Sequence, residues 1–98
     1  MRRVMLDSSL ISDWESFHRV FAELFSFPDY YGRNMDAWID CMSDDEICRE
    51  VVLLEIQRAM DFKKRLPDIF DALVDCSAFV NERYTDEKHI HLYLGFVE

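Results

Sequence analysis

Apolar positions recur along the chain in two periods, and the change from one to the other marks the predicted elements. Val4 to Leu6 is a short β-type segment, and Asp7 to Ile11 reads as a turn. Behind it Trp14, Phe17, Phe21, Leu24 and Phe25 fall at helical spacing, so a first helix with one buried face is predicted to run to about Phe25. Ser12 followed by Glu15 is expected to cap it as a capping box. Pro28 and Gly32 bracket a loop, Ser26 to Arg33, in which Tyr30 and Tyr31 sit side by side. Asn34 can cap a second helix that carries Met35, Ala37, Trp38, Ile39 and Met42 and ends near Asp44, Asp45 and Glu46.

Val51 to Ile56 holds aliphatic residues with a single charge, the pattern of a central strand covered on both faces, and a parallel sheet is its natural setting. From Asp61 to about Asn81 the positions Phe62, Leu66, Ile69, Phe70, Leu73, Val74 and Val80 return to helical period. Pro67 suits a helix start, so two helices are predicted, the first short. Ile90, Leu92, Leu94 and Phe96 alternate with His91, Tyr93 and Gly95 as a last strand. The order β, α, α, β, α, α, β predicts an α/β fold, a small and mainly parallel three-stranded sheet packed with about four helices.

With 98 residues, two glycines and two prolines, one domain covering 1–98 is expected. Twenty Asp and Glu against eleven Lys and Arg give a formal charge of −9, which opposes contact with nucleic acid or anionic lipid and favours a basic protein partner. The apolar run after Arg2 and Arg3 is too short for a signal peptide or a membrane span, so a cytoplasmic location is expected. Cys41, Cys48 and Cys76 are odd in number, lack Cys-x-x-Cys spacing and read as reduced, half-buried thiols. His89 and His91 share a strand face but lack a third ligand. No metal or cofactor is expected.

Asp36, Asp40 and Asp44 stand at i, i+4 and i+8, which lines three carboxylates along one side of the second helix if it runs that far. Such neighbours repel by about 0.2–0.5 kcal/mol per pair, so local stability does not explain the row. It reads either as a solvated face or as a surface for a cation-rich partner. Catalysis is disfavoured, because no Gly-rich phosphate loop and no nucleophile with an adjacent base accompany it. The basic group Arg58, Lys63, Lys64 and Arg65 reads as a solvated helix end.

The segment Tyr30, Tyr31, Gly32, Arg33, Asn34, Met35, Asp36, Ala37, Trp38, Ile39, Asp40 resembles the barstar family of intracellular ribonuclease inhibitors. The shared pattern is a tyrosine pair, a glycine, an asparagine two residues on, then Asp-Ala with a second aspartate four positions after the first, behind a proline-containing loop. The resemblance implies a non-enzymatic inhibitor whose second helix and preceding loop occlude the active site of a basic secreted ribonuclease. Asp40 then lies where a substrate phosphate would bind, and Asp36 meets a further Arg or Lys. Tyr30 packs on a catalytic histidine and Gly32 permits close backbone approach. Asn34 and Asp44 belong to the same face, and Glu82 is the counterpart of an acidic contact on the last helix. Tyr31 is expected to close the core instead. The family pattern has a tryptophan directly before the second aspartate, where this chain has Ile39; Trp38, one position earlier, is turned about 100° around the helix and is a core candidate. Arg33, the shifted tryptophan and the placement of Glu82 leave room for an alternative, an immunity protein or regulatory binding module for a different nuclease or toxin. The free protein is expected to be a monomer.

Overall fold

Strand β1 (Arg2–Asp7) leads through a 3-10 turn (Ser8–Leu10) into α1 (Trp14–Phe25), as described for residues 1–83 and 91–98 by the computed structural model. Then follow α2 (Met35–Met42), β2 (Val52–Gln57), α3 (Ala59–Arg65), α4 (Pro67–Glu82) and β3 (Leu92–Val97). The sheet order is β1-β2-β3 and both pairings are parallel, with Val4, Leu54 and Leu94 abreast, then Leu6, Ile56 and Phe96. Parallel neighbours need long crossovers, and the two helix pairs supply them. The predicted α/β architecture, with its central second strand, is the one found.

Strand alternation sends Val4, Leu6, Val52, Leu54, Ile56 and Leu92 into a core shared with Phe17, Phe21, Trp38, Phe62 and Leu73. The opposite face carries Arg3 ion-paired with Glu55 at 2.8 Å, together with the exposed Met5 and Tyr93. The expectation that the central strand is covered on both faces is therefore corrected. The chain crosses the sheet in one direction, so two crossovers of the same hand leave both helix pairs on one face, and Leu53, Glu55 and Gln57 of β2 remain half-buried on the other.

Three further readings change. The α1 cap is shifted by one residue: Asp13, not Ser12, is the N-cap, its carboxylate accepting from the Ser16 backbone N–H at 2.8 Å while Ser16 Oγ accepts from the Asp13 N–H at 3.1 Å. Two overlapping boxes are written in Ser12-Asp13-Trp14-Glu15-Ser16, and Ser16 wins because its hydroxyl also accepts from the Ser12 N–H. Trp14, placed on the buried stripe, stays exposed at its edge. Arg65 is no freely solvated helix end, since its guanidinium donates to the carbonyls of Ser8 and Ile11 and to Asp61, fastening the turn after β1 to α3. Ile90 and His89 lie outside the described residues; His91 is half-buried next to β3.

Candidate partner-binding face

Chain geometry after α1 sets up the candidate face. Ser26 ends α1 in the left-handed region (φ 54°), the chain turns through Phe27 and Pro28, and the Tyr31 N–H closes back on the Pro28 carbonyl at 2.9 Å. The adjacent tyrosines then point to opposite environments. Tyr31 is buried against Phe27, and its hydroxyl is hydrogen-bonded to His18 Nδ1. Tyr30 is 83% exposed. An aromatic ring left in water on a loop whose neighbour is anchored is free to be a contact.

Gly32 is also exposed. No glycine has positive φ, and a Cβ at Gly32 would meet Ala37 Cβ and Asn34 Nδ2 at 3.4 Å, close to ordinary contact. The fold itself thus makes only a mild demand for glycine here. The positive φ falls on the next residue, Arg33 (φ 53°), whose side chain is exposed. Asn34 caps α2 as predicted: its Oδ1 accepts from the Ala37 N–H at 2.8 Å and its Nδ2 donates to the Gly32 carbonyl at 3.3 Å. The asparagine therefore fixes the loop and the helix in one residue.

On α2, Trp38, Cys41 and Met42 turn inward and Asp36 and Asp40 turn outward. Trp38 is fully buried, so the one-residue shift in the tryptophan puts it in the core; Ile39 is half-buried. The three-carboxylate row is shortened to two, because α2 ends at Met42. There Ser43 caps it, its N–H and Oγ both donating to the Ile39 carbonyl. Asp44 sits in the following turn, where its carboxylate accepts from the Glu46 N–H at 2.7 Å and its carbonyl from the Cys48 N–H at 2.8 Å. Its carboxylate and that of Asp40 both push up the thiol pKa of Cys41, which burial raises first. Cys41, Cys48 and Cys76 are free, and burial raises all three, Cys48 to about 11, so they are packed thiols rather than nucleophiles.

Glu82 is the last residue of α4 and is exposed. The residue after it was not anticipated from sequence. Arg83 Nη1 donates to Asp40 Oδ1 at 2.8 Å, joining the end of α4 to α2 across 43 residues of chain. Helices α2 and α4 pack side by side, and Asp36 stands close enough to Cys76 of α4 to help raise its thiol pKa. Tyr30, Gly32, Asp36, Asp40 and Glu82 thus all stand exposed on the loop, on α2 and at the end of the α4 that packs beside it. No described helix is long and apolar enough to cross a membrane, and no group of three metal-ligating side chains occurs among the described residues.

A protein of Bacillus subtilis (strain 168) named "Putative ribonuclease inhibitor YrdF" is 40% identical over 43 residues. That stretch takes in 44% of this chain and 47% of the relative, so the match spans about half the length of the curated protein. The family model described as Barstar (barnase inhibitor) matches residues 1–95. With all but the last three residues covered, the chain belongs to the barstar family.

Proposed function

We propose that the protein is a non-enzymatic inhibitor of a basic secreted-type ribonuclease, held in the cytoplasm and protecting the host cell from that enzyme. The observation that carries the reading is the joint exposure of Tyr30 on its loop and of Asp36 and Asp40 on the solvent side of α2. A ribonuclease active site is built to hold phosphates with Arg and Lys. A carboxylate entering it exchanges hydration for charge-assisted, bidentate-capable bonds. Asp40 supplies that carboxylate and Asp36 a second one a helical turn away. Tyr30 stacks on an active-site ring, and Gly32 lets the partner backbone close in. Asn34 holds the loop and the helix start, and Asp44 and Glu82 add charge at the rim. Family membership and the relative named as a ribonuclease inhibitor support this assignment. The net charge of −9 supports a basic partner. An aspartate of barstar is itself a standard example of a binding hot spot, and the expectation that Asp40 dominates this face follows from that resemblance.

The test is inhibition of barnase by the purified protein, with Asp40→Ala as control. Inhibition by the native protein, weakened more by Asp40→Ala than by any other single alanine change, is expected. If the native protein leaves barnase fully active, the reading fails for this class of enzyme.

A second reading keeps the face and changes the target to a different nuclease, toxin or regulatory partner. The exposed cations Arg33 and Arg83 beside the acidic residues favour a partner whose rim is not uniformly basic. Capture of a different nuclease, together with an inactive barnase assay, would select it.

A further inference from the structure

The ion pair between Asp40 and Arg83 puts a cation of the protein's own on the carboxylate that the proposed function assigns to the partner. We infer that Arg83 is an internal stand-in for the partner's cation and sets how strongly a cation must bind Asp40 to engage it; this inference rests on the inhibitor reading. One guanidinium N–H reaches Asp40 Oδ1 at 2.8 Å, while Oδ2 accepts nothing from the described residues. The contact is monodentate on the Asp40 side. A guanidinium approaching from a phosphate-binding cleft can take both oxygens, so it competes with an advantage in geometry. An ammonium takes one oxygen at a time and has no such advantage.

The pair is well placed to be exchanged. Its side chains are 67% and 52% exposed, so water screens it and holding it adds little to the fold. A buried pair would lock Asp40 away; an exposed one gives it up readily. While it is closed, however, a positive charge 2.8 Å from the carboxylate cancels much of the local field that draws a basic protein in. Arg83 therefore discriminates: weakly cationic surfaces meet a neutralised Asp40, and a cleft with a properly spaced guanidinium meets a carboxylate that changes partner. Arg83 is a specificity-determining residue that acts through Asp40 without itself touching the ribonuclease.

The experiment measures association rate and inhibition constant against barnase for the native protein, Arg83→Ala, Arg83→Gln and Lys64→Ala. Lys64 lies on α3 beside the N-terminal end of α4, about 24 Å along that 16-residue helix from Arg83, and its removal changes the net charge by the same amount. Both Arg83 variants are expected to bind about two- to fivefold more tightly, the size of an exposed ion pair expressed as a ratio, with Lys64→Ala changing binding by less than about 1.5-fold. In an Asp40→Ala background the Arg83 effect is expected to vanish. Equal effects of Arg83→Ala and Lys64→Ala would reduce Arg83 to net charge and overturn the inference. Weaker binding by the Arg83 variants would make Arg83 a partner contact and overturn it too. A native protein that fails to inhibit at all refutes the inhibitor reading, and the inference falls with it.

Discussion

His18 and Tyr31 meet inside the protein, imidazole Nδ1 hydrogen-bonded to phenol hydroxyl, and so tie the middle of α1 to the loop that presents Tyr30. Trp14 stacks on the same imidazole and Phe17 meets it edge-on. Burial first, and the nearby Arg33 second, hold the His18 pKa below its ordinary value of 6.5. The folded protein therefore binds this proton less readily than the unfolded chain. The stability that follows is complete above pH 6.5 and is lost as pH falls below it towards the folded-state pKa. Thermal unfolding followed from about pH 7.5 to about pH 5 is expected to show a falling midpoint, and the fall should flatten in His18→Asn. A midpoint independent of pH over that range would contradict a neutral, buried imidazole.

The two tyrosines give a paired prediction. Tyr30→Ala removes a ring that is already in water and should change stability by less than about 0.5 kcal/mol. Its cost should appear in ribonuclease inhibition, about tenfold or more, if the ring is a central contact. Tyr31→Phe should do the reverse: the His18 nitrogen loses its partner in the interior, destabilising the fold by about 1–3 kcal/mol. Urea unfolding beside an inhibition assay separates the two, and equal stability losses at both positions would be against the geometry.

Much of the fold was legible in the sequence because it rests on local period. The spacing of Phe17, Phe21 and Phe25 gives α1, the break at Pro67 gives the start of α4, and the alternation of Leu92, Leu94 and Phe96 gives β3. What stayed hidden is non-local or decided between near-equal local options. The ends of the Asp40–Arg83 pair are 43 residues apart, and nothing in either segment marks the other. The rival caps Ser12 and Asp13 are neighbours whose backbone N–H groups both reach Ser16 Oγ, and only the bond from the Ser16 N–H to the Asp13 carboxylate decides between them. The end of α2 depends on Ser43 turning back to the Ile39 carbonyl, and that removes Asp44 from the helical row. The tyrosine, glycine and aspartate positions of the face came from resemblance to a family, since an acidic helix alone reads first as a solvated surface. Their exposure is the structural addition.

Asn34 allows scaffold and contact to be told apart. Asn34→Ala removes the α2 cap and should cost about 1 kcal/mol, whereas Asn34→Asp keeps a side-chain acceptor for the Ala37 N–H and should restore most of it. If inhibition follows stability across the two variants, the residue acts by holding α2. A loss of inhibition in Asn34→Asp with stability restored would identify a direct contact through the amide.

Trp38 is fully buried, yet its indole N–H has no hydrogen-bond partner among the described residues. Trp38→Phe deletes the unpaired donor, worth about 1–3 kcal/mol of desolvation, and leaves a void whose cost is of similar size, so a net change within about 1 kcal/mol is expected. Trp38→Ala keeps only the void and should cost about 3–5 kcal/mol. Chemical denaturation distinguishes the cases, and a phenylalanine variant as damaged as the alanine one would show that the indole is satisfied in solution.

Salt separates the two ways in which charge acts at the face. In the proposed mechanism the excess of carboxylates attracts a basic ribonuclease across solvent, over a range that shrinks from about 10 Å at 0.1 M salt to about 3 Å at 1 M. Once the proposed surfaces meet, Asp40 should be desolvated and its bonds sheltered from ions. Raising salt should therefore slow association about tenfold or more between about 0.05 and 0.5 M while leaving dissociation nearly unchanged. Asp40→Ala should act mainly on dissociation, because it deletes a sheltered bond. Asp45→Ala, at an exposed position beyond the α2 face, should act mainly on association. Stopped-flow traces at several salt concentrations give both rates. Association indifferent to salt would remove long-range charge from the mechanism, and an Asp40→Ala effect confined to association would mean that Asp40 stays hydrated in the complex, which a group seated in a phosphate site cannot do.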